Sequence, residues 1–155
     1  MNKLLVFTSL ILLFSVIDAN AQNRKSVSAA EANGTFRSFF DDKSKGNYNE
    51  IKILALGKGK LRVAFNLTYP FINTMGEQMA NVGAADGTAN IEGDTAVFSP
   101  DENGQCKITI KFVKRGTIEV THSGEIGECG FGFNVSPDGT YKKTSRAKPK
   151  FSASN

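Results

Sequence analysis

Leu61-Arg62-Val63-Ala64-Phe65-Asn66-Leu67-Thr68-Tyr69 alternates without a break. Leu61, Val63, Phe65, Leu67 and Tyr69 fall on one side, and Arg62, Ala64, Asn66 and Thr68 on the other. A strict period of two over a run of this length predicts a strand with one buried face.

Working outward, residues 50–56 precede this strand through Gly57-Lys58-Gly59-Lys60, a turn rich in the residue that tolerates positive φ. An earlier strand is expected over 35–40. After Tyr69 the stretch from Pro70 to Asn81 reads as a loop. Strands then follow at 83–91 and 95–99, joined at Glu92-Gly93-Asp94. Pro100-Asp101-Glu102-Asn103-Gly104-Gln105 is dense turn chemistry. Residues 106–113 alternate again, with Cys106, Ile108, Ile110 and Phe112 on one face, and 117–122 return after Lys114-Arg115-Gly116. The chain next becomes Gly-rich up to the turn Ser136-Pro137-Asp138-Gly139, and 140–145 is the last strand. Cys129, Phe131, Phe133 and Val135 share parity, so a ninth strand over 131–135 is possible, with Phe131, Phe133 and Tyr141 plugging one end. Short strands linked by tight hairpins, without an amphipathic helix, point to an all-β fold: a small antiparallel up-and-down β-barrel of about eight strands. Closure removes exposed sheet edges. A two-sheet β-sandwich is the alternative.

The N-terminus reads as a secretory leader over residues 1–21. Lys3 supplies the positive start, 4–17 form an apolar run broken by Thr8, Ser9 and Ser15, and Ala19-Asn20-Ala21 is an A-x-A cleavage site. The run falls short of the ~20 apolar residues of a spanning helix and ends at Asp18, so no integral membrane segment is expected after cleavage. Residues 22–33 read as a linker with one short helical turn over 28–32. The β-barrel domain is expected over 34–145 and a basic, poorly ordered tail over 146–155. The expected location is periplasmic or secreted.

The only two cysteines, Cys106 and Cys129, are expected to pair, as cysteines of exported chains commonly do. Both share parity with coreward residues, and closing a loop of this length is worth about 3 kcal/mol on the chain-entropy model. With one histidine and no second cysteine pair there is no zinc ligand set, so no metal and no cofactor are expected.

The net charge of +4 is unevenly placed. After Asp138 come Lys142, Lys143, Arg146, Lys148 and Lys150 without an acid, whereas no Lys or Arg lies between Arg62 and Lys107. The basic end could meet an anionic surface, although a solvated tail explains it as well. Nucleic-acid binding is not expected: aromatics are not interleaved with Lys52, Lys58, Lys60 and Arg62, and Phe65 lies opposite Arg62. Gly57-Lys58-Gly59-Lys60 lacks phosphate-loop spacing. Asp101-Glu102-Asn103-Gly104 fails as a calcium loop because Phe112 stands where the closing Glu belongs. His122, the only histidine, has the parity of Ile118 and Val120 and is expected to point inward at a strand end. Catalysis would require it beside a carboxylate in an open cleft, and no enzyme is expected.

Cys129-Gly130-Phe131-Gly132-Phe133-Asn134-Val135, followed by Asp138-Gly139-Thr140-Tyr141-Lys142-Lys143, is the most distinctive stretch. Together with Gly87-Thr88-Ala89 and Cys106-Lys107-Ile108-Thr109-Ile110, it resembles the C-terminal half of a group of small exported bacterial β-barrel proteins. These end in C-G-F-G-x-N-V and then D-G-x-Y-K-K. The resemblance covers roughly residues 34–145 and implies export and a barrel, but no activity. A looser likeness is to periplasmic lysozyme inhibitors, which are small, exported, disulfide-bonded barrels. Their Ser-Gly closely followed by Arg-Tyr is absent, since Ser123-Gly124 leads into Glu125-Ile126.

The expectation is an exported, non-enzymatic binding module: an envelope protein that binds or inhibits another protein, such as a lysozyme. The candidate binding loop carries Ser123, Glu125 and Glu128, acidic groups suited to the cationic cleft of a basic enzyme. The alternative is a carrier of a small apolar ligand in a lipocalin-like barrel. Small residues on inward faces would mark such a cavity, and only Gly87 and Ala89 qualify.

Overall fold

The computed structural model describes residues 26–40, 46–100 and 105–151. The expected leader over 1–21, residues 22–25 of the expected linker, residues 101–104 and residues 152–155 of the expected tail lie outside the described residues.

The strands are β1 (Gly34–Phe39), β2 (Tyr48–Gly57), β3 (Lys60–Ile72), β4 (Gln78–Glu92), β5 (Thr95–Phe98), β6 (Cys106–Lys114), β7 (Thr117–Gly124) and β8 (Gly139–Ser145). Each pairs with its sequence neighbours, and β1 pairs with β8, so the meander closes into an eight-stranded antiparallel barrel. The alternation at 61–67 does what its period requires: Leu61, Val63, Phe65 and Leu67 are all buried. Ile51 and Ile53 of β2, Ile108, Ile110 and Phe112 of β6, and Ile118 and Val120 of β7 meet them in one continuous core.

The space inside is taken up by rings. Phe65 lies 5.2 Å from Phe98 and 6.1 Å from Phe131, centroid to centroid, and Phe36 lies 6.5 Å from Phe112. The small residues of β4 make room for them. A Cβ at Gly87 would stand 3.0 Å from the Phe98 ring, and one at Gly83 would stand 2.9 Å from the ring of Phe131. Gly87 therefore marks a filled position rather than empty space.

The two ends of the barrel differ. At the end where the β2–β3, β4–β5 and β6–β7 turns lie, one helical turn, α1 (Ala29–Ala32), is seated against the core through Ala32, with Val27 beside it. Ser28 and Glu31 cap it reciprocally: the Glu31 N–H donates to Ser28 Oγ, and the Ser28 N–H to the Glu31 carboxylate. Asn33 Oδ1 accepts the Ala55 N–H at 2.6 Å, tying the segment to β2. The described part of the tail ends with Phe151 under the Arg62 guanidinium, 4.5 Å from the ring centroid, on the outer face of β3.

The stretch from Pro70 to Asn81 is not a loop: β3 continues to Ile72 and β4 begins at Gln78, leaving only residues 73–77 as the turn. Proline is tolerated there because β2 leaves β3 after the pair Glu50–Asn66, so Pro70, opposite Ala80, stands in a strand with one free edge. Tyr69, expected inside, is exposed because its strand has by then risen past the wall. Nor is 131–135 a ninth strand. A single 3-10 turn, Ile126–Cys129, precedes it, Gly130 has φ 77°, and among the described residues the segment's one ladder pairing is the Gly83–Phe131 bridge.

Tyr141 carries the buried polar anchor of β8. Its hydroxyl donates to the Pro137 carbonyl at 2.8 Å. Burial pushes the phenol well above its ordinary value, opposed by a hydrogen bond with Asn49 and reinforced by the negative charge of Asp138. Above about pH 10 the unfolded phenol sheds a proton that the folded one keeps, so stability falls as pH rises. Tyr141→Phe is expected to cost about 1 kcal/mol near neutrality, through the lost hydrogen bond, and to flatten the alkaline decline. Urea melts at about pH 8 and about pH 10.5, either side of the ordinary phenol value, measure both effects. An equal alkaline loss in the two proteins contradicts this account.

Candidate functional site

The far end of the barrel is built from the top of the β3–β4 hairpin and from residues 122–139. Pairing between β3 and β4 is unbroken from Lys60–Asn90 to Ile72–Gln78. Beyond Asn66 on β3 and before Ala89 on β4, however, the neighbouring strands no longer pair with them. The hairpin therefore rises from the wall as an arm. Its tip is held by Asn73, whose Oδ1 accepts the N–H groups of Met75 at 3.0 Å and Glu77 at 2.8 Å, while its amide donates to the Glu77 carboxylate. This local bonding presents Met75, 78 % exposed, at the apex. Tyr69, Phe71, Ile72, Met79 and Val82 are also exposed along the arm.

The second segment leans on the base of the arm. Asn81 Nδ2 donates to the Phe133 carbonyl at 2.8 Å. Gly132 approaches Val82 so closely that a Cβ there would lie 2.6 Å from its carbonyl oxygen, which only glycine permits. Phe131 is drawn into the core by its contact with Phe65, whereas Phe133, expected to plug the barrel, is 79 % exposed. Irregular backbone accounts for the difference: Asn134 has φ 61°, and the Val135 N–H closes a turn onto the Gly132 carbonyl, so the period of two fails.

The Cys106–Cys129 disulfide is present, with Cα atoms 5.1 Å apart and both residues buried. It fastens the 3-10 turn to the start of β6. Ser123 stands on β7 opposite Lys107. Glu125 opens the 3-10 turn, and its carbonyl accepts the Glu128 N–H at 3.1 Å. All three candidate side chains are exposed, and the two glutamates flank Ile126 and Gly127, which line an apolar groove of about 510 Å³. Phe131, Phe133 and His122 line the same groove.

His122 is not inward as expected. It sits at the rim, where β7 runs out, with Nδ1 2.8 Å from Asp138. The ionised carboxylate only accepts, so Nδ1 donates. Asp138 Oδ1 also accepts the His122 backbone N–H at 2.8 Å, and the Asp138 N–H donates to Ser136 Oγ. His122 thus stands beside a carboxylate on an open groove, the placement that catalysis would require of it, and among the described residues the hydrogen bonds of its ring go to Asp138 alone. The pair latches the end of β7 to the turn before β8.

Sequence reading missed the arm. The signal was there in the parity of Tyr69 and Phe71 with Leu67, which runs on through Pro70. The pairing of His122 with Asp138 had no local signal, since it depends on how the chain returns over the barrel end. Among the described residues no helix is long and apolar enough to cross a membrane. No family model matches this chain, and no curated protein or solved structure shows significant similarity to it.

Proposed function

We propose that the protein is an exported, non-enzymatic binding module that holds a protein partner at the arm end of the barrel. The observation that carries this reading is the arm itself: exposed apolar side chains from Tyr69 to Val82, with Phe133 beside their base. Tyr69, Phe71 and Met79 share one face of the hairpin and Ile72 and Val82 the other, and exposed apolar side chains gathered on one projecting element mark interaction sites. Charge states the chemistry of the partner. No Lys or Arg occurs from 63 to 106 or from 116 to 141, whereas Glu77, Glu125, Glu128 and Asp138 do. A fitting partner presents an apolar surface rimmed by cations, and a basic enzyme such as a lysozyme has that character. Export rests on the leader pattern, and a disulfide accords with an oxidising compartment. The filled interior speaks against a lipocalin-like carrier.

Size-exclusion chromatography and turnover assays with a panel of basic lysozymes test the reading. A complex is expected that weakens with salt. Phe71→Ser with Met75→Ser and Phe133→Ser is expected to weaken it by about 2 kcal/mol or more, as loss of exposed apolar anchors does. If no lysozyme forms a complex, that partner class is withdrawn. A complex indifferent to the triple substitution removes the arm from the site.

A further inference from the structure

At the opposite end of the barrel, the β6–β7 turn, the end of β8 and the start of the tail enclose a cleft of about 690 Å³. Arg115, Lys142, Lys143, Arg146 and Lys148 line it, against the single carboxylate of Glu31. The cations arrive from different parts of the chain. Arg115 comes from the tight turn at Gly116, whose carbonyl accepts the Lys143 N–H at 2.8 Å. Lys142 is set by its pairing with Thr117 and Arg37. Arg146 and Lys148 follow β8.

Lys143 has a structural task. Its ammonium donates to the carbonyls of Glu31 at 2.5 Å and Asn33 at 2.8 Å, closing α1 onto β8, and lies 4.9 Å from the centre of the Phe36 ring. Arg115, Lys142, Arg146 and Lys148 have no such occupation: among the described residues none of them forms an ion pair. On the wall of the barrel, by contrast, Arg37 and Lys52 share Glu50, and Arg62 pairs with Asp86. The Lys143 pKa is lowered, first by burial and then by Arg146, with Glu31 opposing and Arg115 adding to the shift.

We propose that this cleft is a binding site for a ligand carrying two or more phosphate groups. The guanidinium forks of Arg115 and Arg146 match oxyanions in bidentate fashion, while Lys142 and Lys148 add point charges. The volume lies within the ~300–1,000 Å³ typical of small-molecule sites, so a bisphosphorylated group fits with part of its carrier. That chemistry is shared by soluble polyphosphate compounds and by the headgroup of a diphosphate lipid. The site is separate from the arm and does not depend on a protein partner being held there.

Calorimetric titration of the purified protein with inorganic tripolyphosphate, alongside sedimentation with vesicles containing or lacking a diphosphate lipid, tests the proposal. Saturable binding is expected in one arm, weakening with salt. Soluble binding identifies a free ligand, and vesicle binding alone identifies a headgroup. Arg115→Gln with Arg146→Gln is expected to weaken binding by about tenfold or more, with the unliganded Tm retained. Lys107→Gln with Lys111→Gln, which removes the same charge from the exposed face of β6, is expected to leave binding intact. Equal loss in both double variants, or no saturable binding in either arm, overturns the proposal.

Discussion

Cys106→Ser or Cys129→Ser is expected to lower stability by about 2–5 kcal/mol, a fall of roughly 10–20 °C in Tm for a domain of this size. The loss should appear first at residues 123–135. Past Gly124, where its pairing with β6 ends, that segment has little ladder bonding of its own: one bridge at Gly83–Phe131, one 3-10 turn, and the Asn81–Phe133 hydrogen bond. The disulfide fixes its middle to β6, while the His122–Asp138 latch holds its far end. With the bond removed, local opening should need much less free energy than global unfolding. Amide exchange resolved by residue gives the readout. Faster exchange at 123–135, with β2 and β3 still protected, is the expected pattern. A variant that melts with the parent protein, or that speeds exchange uniformly, contradicts it.

Phe65→Ala is expected to cost about 3–5 kcal/mol. Phe65 is buried at the centre of the barrel, opposite Ala85, between the rings of Phe98 and Phe131. Phe98 is held by β5 and Phe131 by its bridge to Gly83, so most of the volume should remain as an apolar cavity. Such cavities stay dry and take up small apolar molecules such as benzene. The variant should therefore gain stability with benzene, and the parent protein should not. A loss below about 1 kcal/mol, far under the usual cost of an aromatic truncation, would mean that the interior already has slack. The carrier reading would then regain its footing.

The barrel was legible because its wall obeys one rule. Leu61 to Leu67 and Cys106 to Phe112 alternate strictly, and each turn between them carries glycine or charge. Legibility failed where chain and wall part company. Past Leu67 the arm has no barrel face to bury, so Phe71, Met75 and Met79 read as loop. Past Gly124 the parity of Cys129, Phe131 and Phe133 persists in the letters but not in the backbone, since Gly132 is pressed against Val82 and Asn134 turns the chain. The two halves of the molecule's charge were visible as runs. That Arg115 joins the C-terminal cations at one cleft was not, because it follows from the Lys143–Gly116 hydrogen bond.

In the proposed function the interior is a scaffold and recognition happens at the arm. Methyl NMR of the labelled protein tests this most directly, titrating a basic lysozyme in one series and a fatty acid such as laurate in another. Lysozyme is expected to shift or broaden Ile72, Met75, Met79 and Val82, while Ile51, Val63, Ile108 and Ile110 stay fixed in both series. Saturable shifts of those interior methyls with laurate, with the arm untouched by lysozyme, would contradict it.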